Sequence, residues 1–80
     1  MKTSSLYRQV VSVTREYLGP AADRFVSRQV ENHLHMPPEE LDKNDLKRLI
    51  VWMKLAMNLM VADTEIVEEY LRRLNELIQP

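Results

Sequence analysis

Leu46-Lys47-Arg48-Leu49-Ile50-Val51-Trp52-Met53-Lys54-Leu55-Ala56-Met57-Asn58-Leu59-Met60 is the stretch that decides the fold. At about 100° of rotation per residue, Leu46, Leu49, Ile50, Met53, Met57 and Met60 gather on one side of a helix. Val51, Trp52, Leu55, Leu59 and Ala62 gather nearly opposite, and Lys47, Lys54 and Asn58 leave a polar stripe only about 40° wide. A helix that is apolar almost all round is expected to be covered on most sides. The segment therefore predicts the central member of a helical bundle, running to about Ala62.

Its flanks carry start and stop signals. Asp42 is placed to cap the helix, with Asp45 three residues on in a variant of the capping box. Pro38-Glu39-Glu40-Leu41 reads as a single helical turn, its acids near the N-terminal end where the backbone amides favour negative charge. Beyond the central helix, Asp63-Thr64-Glu65 supplies the next cap. The last helix is expected to bury Ile66, Val67, Tyr70, Leu71, Leu74, Leu77 and Ile78, with Glu68/Arg72 and Glu69/Arg73 as i,i+4 ion pairs on its outer face.

Upstream, Leu6, Val10, Val13 and Tyr17, with Tyr7, Val11 and Leu18 beside them, recur at steps of three and four. Ser4 or Ser5 can cap this first helix. Gly19-Pro20 ends it, because proline disfavours a helical conformation in the residue before it. Pro20 suits the first position of a second helix, where its missing N–H costs nothing. That helix turns Ala22, Phe25, Val26, Gln29, Val30 and Leu34 inward, shows Arg24, Ser27, Arg28 and Glu31 outward, and stops before Pro37-Pro38. The expectation is one domain over residues 1–80, all-α, a four-helix and mainly antiparallel bundle.

Composition narrows the function. Eighty residues, 45% of them hydrophobic, allow one core with little stability to spare. There is no cysteine for a disulfide or a thiolate metal site, which fits a reducing cytoplasm. No unbroken apolar run follows Met1-Lys2-Thr3-Ser4-Ser5, so no secretory signal is expected. Leu49 to Ala62, broken by Lys54 and Asn58, is too short to span a membrane. Eleven basic and twelve acidic residues give a net charge of −1, with no long-range pull on a polyanion. Residues 1–35 hold five basic and three acidic side chains, and residues 36–80 hold six and nine.

No catalytic, metal or cofactor constellation emerges. His33 and His35, two residues apart on a helix, point about 160° from each other and share no metal. The acids fall at caps and outer faces, and neither a glycine-rich loop nor a nucleophile motif is present. A histidine phosphotransfer protein is one alternative, although no lysine-glycine pair follows either histidine. A small nucleic-acid-associated regulator is another, using Arg24 and Arg28 with Arg8 and Arg15 nearby, but Asp23 and Glu31 flank that patch. The stronger lead is a non-catalytic protein–protein interaction module whose partner is another protein or a second copy. Met53, Met57 and Met60 form a flexible stripe of the kind used at adaptable grooves, and also of the kind that fills cores. Trp52, Leu55 and Leu59 form a separate candidate contact surface, with Trp52 as its anchor.

Leu18-Gly19-Pro20-Ala21-Ala22-Asp23-Arg24-Phe25-Val26-Ser27-Arg28-Gln29 resembles the Gly-Pro-x-Ala helical module attached to bacterial and archaeal signalling proteins. Pro38-Glu39-Glu40-Leu41 and Asp45-Leu46-Lys47-Arg48-Leu49 are similar in style to members that follow it with another capped helix. The resemblance covers residues 17–60. It implies a regulatory or assembly role and no catalytic residues, and the departure from the pattern is that neither a kinase nor a receiver domain is expected within these 80 residues.

Overall fold

A computed structural model describes residues 5–79. They form α1 (Ser5–Leu18), α2 (Ala22–Leu34), α3 (Lys43–Met60) and α4 (Thr64–Ile78), packed as a helical bundle, with short 3-10 turns at Gly19–Ala21 and Pro38–Glu40. No strand occurs among the described residues. α3 packs on α2 and α4, and α1 packs on α2 and α4. Val10, Val26, Val30, Leu46, Leu49, Met53, Met57, Tyr70 and Leu74 meet in a core from which water is fully excluded.

Local chemistry places each boundary. Helical backbone runs from Ser5 to Leu34 but turns a corner at Gly19, whose φ is +61°. Only glycine adopts that conformation at little steric cost, and Pro20 keeps the preceding residue out of the helical region. Across the corner the Tyr7 hydroxyl donates to Asp23 Oδ1, so α2 folds back toward α1. α2 ends on His35, a left-handed residue with φ 54°, before Pro37 and Pro38. Leu41, almost fully buried, donates its N–H to Pro38 O at 3.1 Å. Asp42 and Asp45 complete a reciprocal capping box, Asp45 N–H to Asp42 Oδ1 at 2.9 Å and Asp42 N–H to Asp45 Oδ2 at 3.1 Å. Asp63 caps α4 by accepting from the Glu65 N–H. On the first cap, Ser4 lies outside the described residues and Ser5 is the first residue of α1.

Three expectations need correction. α3 stops at Met60, not Ala62: Val61 is extended (φ −122°, ψ 119°), a conformation that suits its branched side chain. Extended backbone there delivers Asp63 to its capping position. Ile66 is 41% exposed. It sits in the first turn of α4, roughly 80° round from Leu74 at 100° per residue. Finally, Glu69 and Arg73 do not pair with each other. Arg73 donates to both carboxylate oxygens of Glu16, each at 2.8 Å, and Glu69 accepts from the Tyr17 hydroxyl at 2.8 Å. Glu68 and Arg72 form no ion pair among the described residues.

These contacts belong to a polar seam between α1 and α4. The Arg73 guanidinium lies 5.9 Å from the centre of the Tyr17 ring, and Tyr17 meets Tyr70 edge-on at 5.1 Å. Deeper in, Thr14 donates its single hydroxyl proton to Val10 O at 2.7 Å. The Tyr70 hydroxyl, 2.7 Å from Thr14 Oγ1, is therefore the donor of that pair. Arg73 holds the Glu16 carboxyl below its ordinary range by hydrogen bonding.

Two outcomes are expected. Gly19→Ala should lower the unfolding free energy by about 1–2 kcal/mol, the cost of a left-handed L-residue. No atom lies within 4 Å of the added Cβ, so Gly19→Asn should lose less than Gly19→Ala. Urea melts of the three proteins check the order, and equal midpoints would mean that the corner does not need positive φ.

The second concerns alkali. Burial pushes the Tyr70 hydroxyl up to about 12, and burial likewise raises Tyr7 and Tyr17. The folded chain therefore holds protons that the unfolded chain releases from about pH 10. This contribution is intact below that pH and is lost as pH rises through 12. Tyr70→Phe should lower stability near neutrality by about 1 kcal/mol, the worth of one hydrogen bond, and flatten the alkaline decline. A decline of unchanged slope would assign it elsewhere.

Candidate protein-docking face

The two apolar sides of α3 have different fates. Leu46, Leu49, Met53 and Met57 are fully buried in the bundle core. Met53 and Met57 thus cannot serve as docking residues: they lie roughly 100–140° round from Trp52, on the side that meets the other helices. Met60, at the helix end, is 52% exposed. Of the two readings the methionine stripe allowed, Met53 and Met57 follow core filling rather than a surface groove. Met side chains fill irregular core space as readily as they line grooves, and the stripe alone could not separate the two.

The opposite side is open. Val51 is 60%, Trp52 41%, Leu55 53% and Leu59 89% exposed. Arg48, Trp52, Leu55 and Leu59 follow at steps of four, three and four, the spacing of a seam that packs against another helix. Lys47 and Lys54 run beside this strip and are exposed. Neither forms an ion pair with a described residue. Arg48, held by Asp45 at 2.9 Å, is still 64% exposed in its side chain. Ile66, at the start of α4, is a further exposed apolar residue.

Trp52 is fixed from one side. The imidazole of His33, on α2, stacks on the indole with ring centres 4.1 Å apart and planes 4° from parallel. Half-buried His33 thereby acts as a shelf for Trp52, a role that its position in the sequence did not reveal. His35, exposed and left-handed, closes α2. The two histidines work separately, and no group of three His, Asp or Glu side chains among the described residues can hold a metal.

The basic patch is interleaved with acids. Arg24 and Arg28 are exposed on α2. Arg8 and Arg15 instead line an open groove of about 570 Å³ between α1 and α2 with Asp23, Glu31 and Glu39. Positive and negative side chains share that groove, which weakens any attraction for phosphates. Among the described residues no helix is long and apolar enough to cross a membrane.

No protein-family model, curated protein or solved structure matches the chain.

The stack has a measurable consequence. Trp52 is the chain's one tryptophan, so acrylamide quenching reports on this face alone. His33→Ala should raise the quenching constant and leave the circular dichroism spectrum unchanged. An unaltered constant would mean that the imidazole does not shield the indole.

Proposed function

We propose that the chain is a non-catalytic protein–protein interaction module that docks a helix of its partner along the outer face of α3. One observation carries this reading: a strip of Val51, Trp52, Leu55 and Leu59 left open to water on a helix whose other side is the core. Each such side chain gains about 1.5–3 kcal/mol on full burial. Leu59, almost fully exposed, realises almost none of that in folding. Contiguous exposed apolar surface with a polar border is a hallmark of protein contact sites. Trp52 is suited to anchor the contact, since its ring is large and already held by His33. Lys47, Lys54 and Arg48 favour a partner with acidic side chains beside its apolar ones.

The Gly-Pro corner belongs to this reading as scaffold, with a regulatory or assembly role of the kind its resemblance implies. The cysteine-free composition supports action in the cytoplasm. The nucleic-acid reading rests on Arg24 and Arg28 alone and has less support, given Glu31 on the same face.

A photo-crosslinking amino acid in place of Leu59 should capture a protein in cells, and the same group in place of Arg28 should not. Leu55→Lys with the crosslinker still at position 59 should abolish capture and keep helical content. Equal capture from both positions, or from neither, would refute the docking face.

A further inference from the structure

We infer that the helix docked on this face is α3 of a second copy, running antiparallel about a two-fold axis close to Leu55. The inference rests on the docking face proposed above and identifies its occupant. It stands on the order of side chains along α3 and into the α3–α4 corner. Basic residues flank the N-terminal half of the exposed strip, Lys47 and Arg48. Acidic residues, Asp63 and Glu65, stand exposed just past its C-terminal end.

An antiparallel two-fold close to Leu55 pairs positions whose numbers sum to about 111. Trp52 then lies against Leu59 of the second copy, and the two Leu55 side chains meet near the axis. The most exposed leucine of the strip is thereby set on its largest ring. The same operation sets the start of each α3, with Lys47 and the Asp45-paired Arg48, beside the other copy's α3–α4 corner, where Asp63 and Glu65 are exposed, so basic side chains lie near acidic ones at both ends. A parallel pairing sets Lys47 beside its own copy and offers the acids nothing. In a closed two-fold pair every contact occurs twice, so one strip and one charge gradient serve both partners. An unrelated partner would give no reason for basic residues near the start of α3 to match acidic residues in the corner past its end.

Sedimentation equilibrium over about 1–200 μM, the range of weak dimers, provides the test. The expected result is a reversible monomer–dimer equilibrium, with Leu55→Lys monomeric throughout. Lys47→Glu and Glu65→Lys should each weaken dimerisation about threefold to tenfold, as charges at an interface rim do. The double variant Lys47→Glu/Glu65→Lys should return to within about twofold of the parent, a recovery that altered helix stability cannot produce. Circular dichroism of each variant confirms the fold. A parent monomeric at the top of the range overturns the inference, as does a double variant no tighter than the singles. A tighter Lys47→Glu dimer also overturns it, since it indicates parallel pairing. If the parent is monomeric and the position-59 crosslink captures a different protein, the docking face stands and self-pairing falls. Without capture, both fall.

Discussion

Three companion helices cannot cover a helix that is apolar on two opposite sides, and everything else in this chain adjusts to that limit. α3 offers Leu46, Leu49, Met53 and Met57 to one side and Val51, Trp52, Leu55 and Leu59 to the other. With 80 residues, the bundle has material for one core. The side that wins is the one whose side chains lie closest to a single direction and interlock with Val26, Val30, Tyr70 and Leu74. The losing side keeps its apolar character while only partly covered, chiefly where Trp52 stacks on His33. Fully burying Leu59 would be worth about 1.5–3 kcal/mol, several times a surface ion pair at about 0–1 kcal/mol. On that scale, charge steers what binds the strip, and apolar burial supplies the affinity.

A small core demands exact relative placement of its helices, and polar contacts provide much of it. Thr14 and Tyr70 hydrogen-bond inside the α1–α4 contact, where an unpaired hydroxyl would be costly. Arg73 grips Glu16 with two parallel bonds while lying over Tyr17, a geometry that only a planar guanidinium satisfies. The corner at Gly19 sets where α2 begins, so that Val26 and Val30 reach the buried side of α3. Backbone conformation, buried hydroxyls and one bidentate ion pair therefore set how α1, α2 and α4 are placed around the buried side of α3.

Much of this was legible in the residue pattern because it depends on neighbours in the chain. The corner at Gly19-Pro20, the Asp42/Asp45 box, the Asp63 cap and the two apolar sides of α3 all follow from spacings of four residues or fewer. What depended on distant neighbours was not legible. Glu69/Arg73 is an ideal local pair, yet Glu16 and Tyr17 on another helix outcompete it. Helical projection places Ile66 at the edge of the buried face but does not show that the first turn of α4 lacks a neighbour there. Periodicity assigned Met53 and Met57 to one stripe with Met60, and only packing shows that two are core and the third is at an open end. The His33–Trp52 stack joins residues 19 apart in sequence, and no single-helix pattern announces it.

The division of labour on α3 separates folding from binding to an unusual degree. Met53 and Met57 belong wholly to the core, so truncating them would open cavities and unfold the chain before it altered a contact surface. Leu59 belongs almost wholly to the surface, so its chemistry is free to follow a partner. Trp52 stands between, with one face on His33 and the other open, and couples the two regimes. A ring already immobilised loses little conformational freedom on docking, which makes it a better anchor than the flexible leucines beside it. The α2 helix, by holding His33 in place, thus contributes to binding without touching what binds.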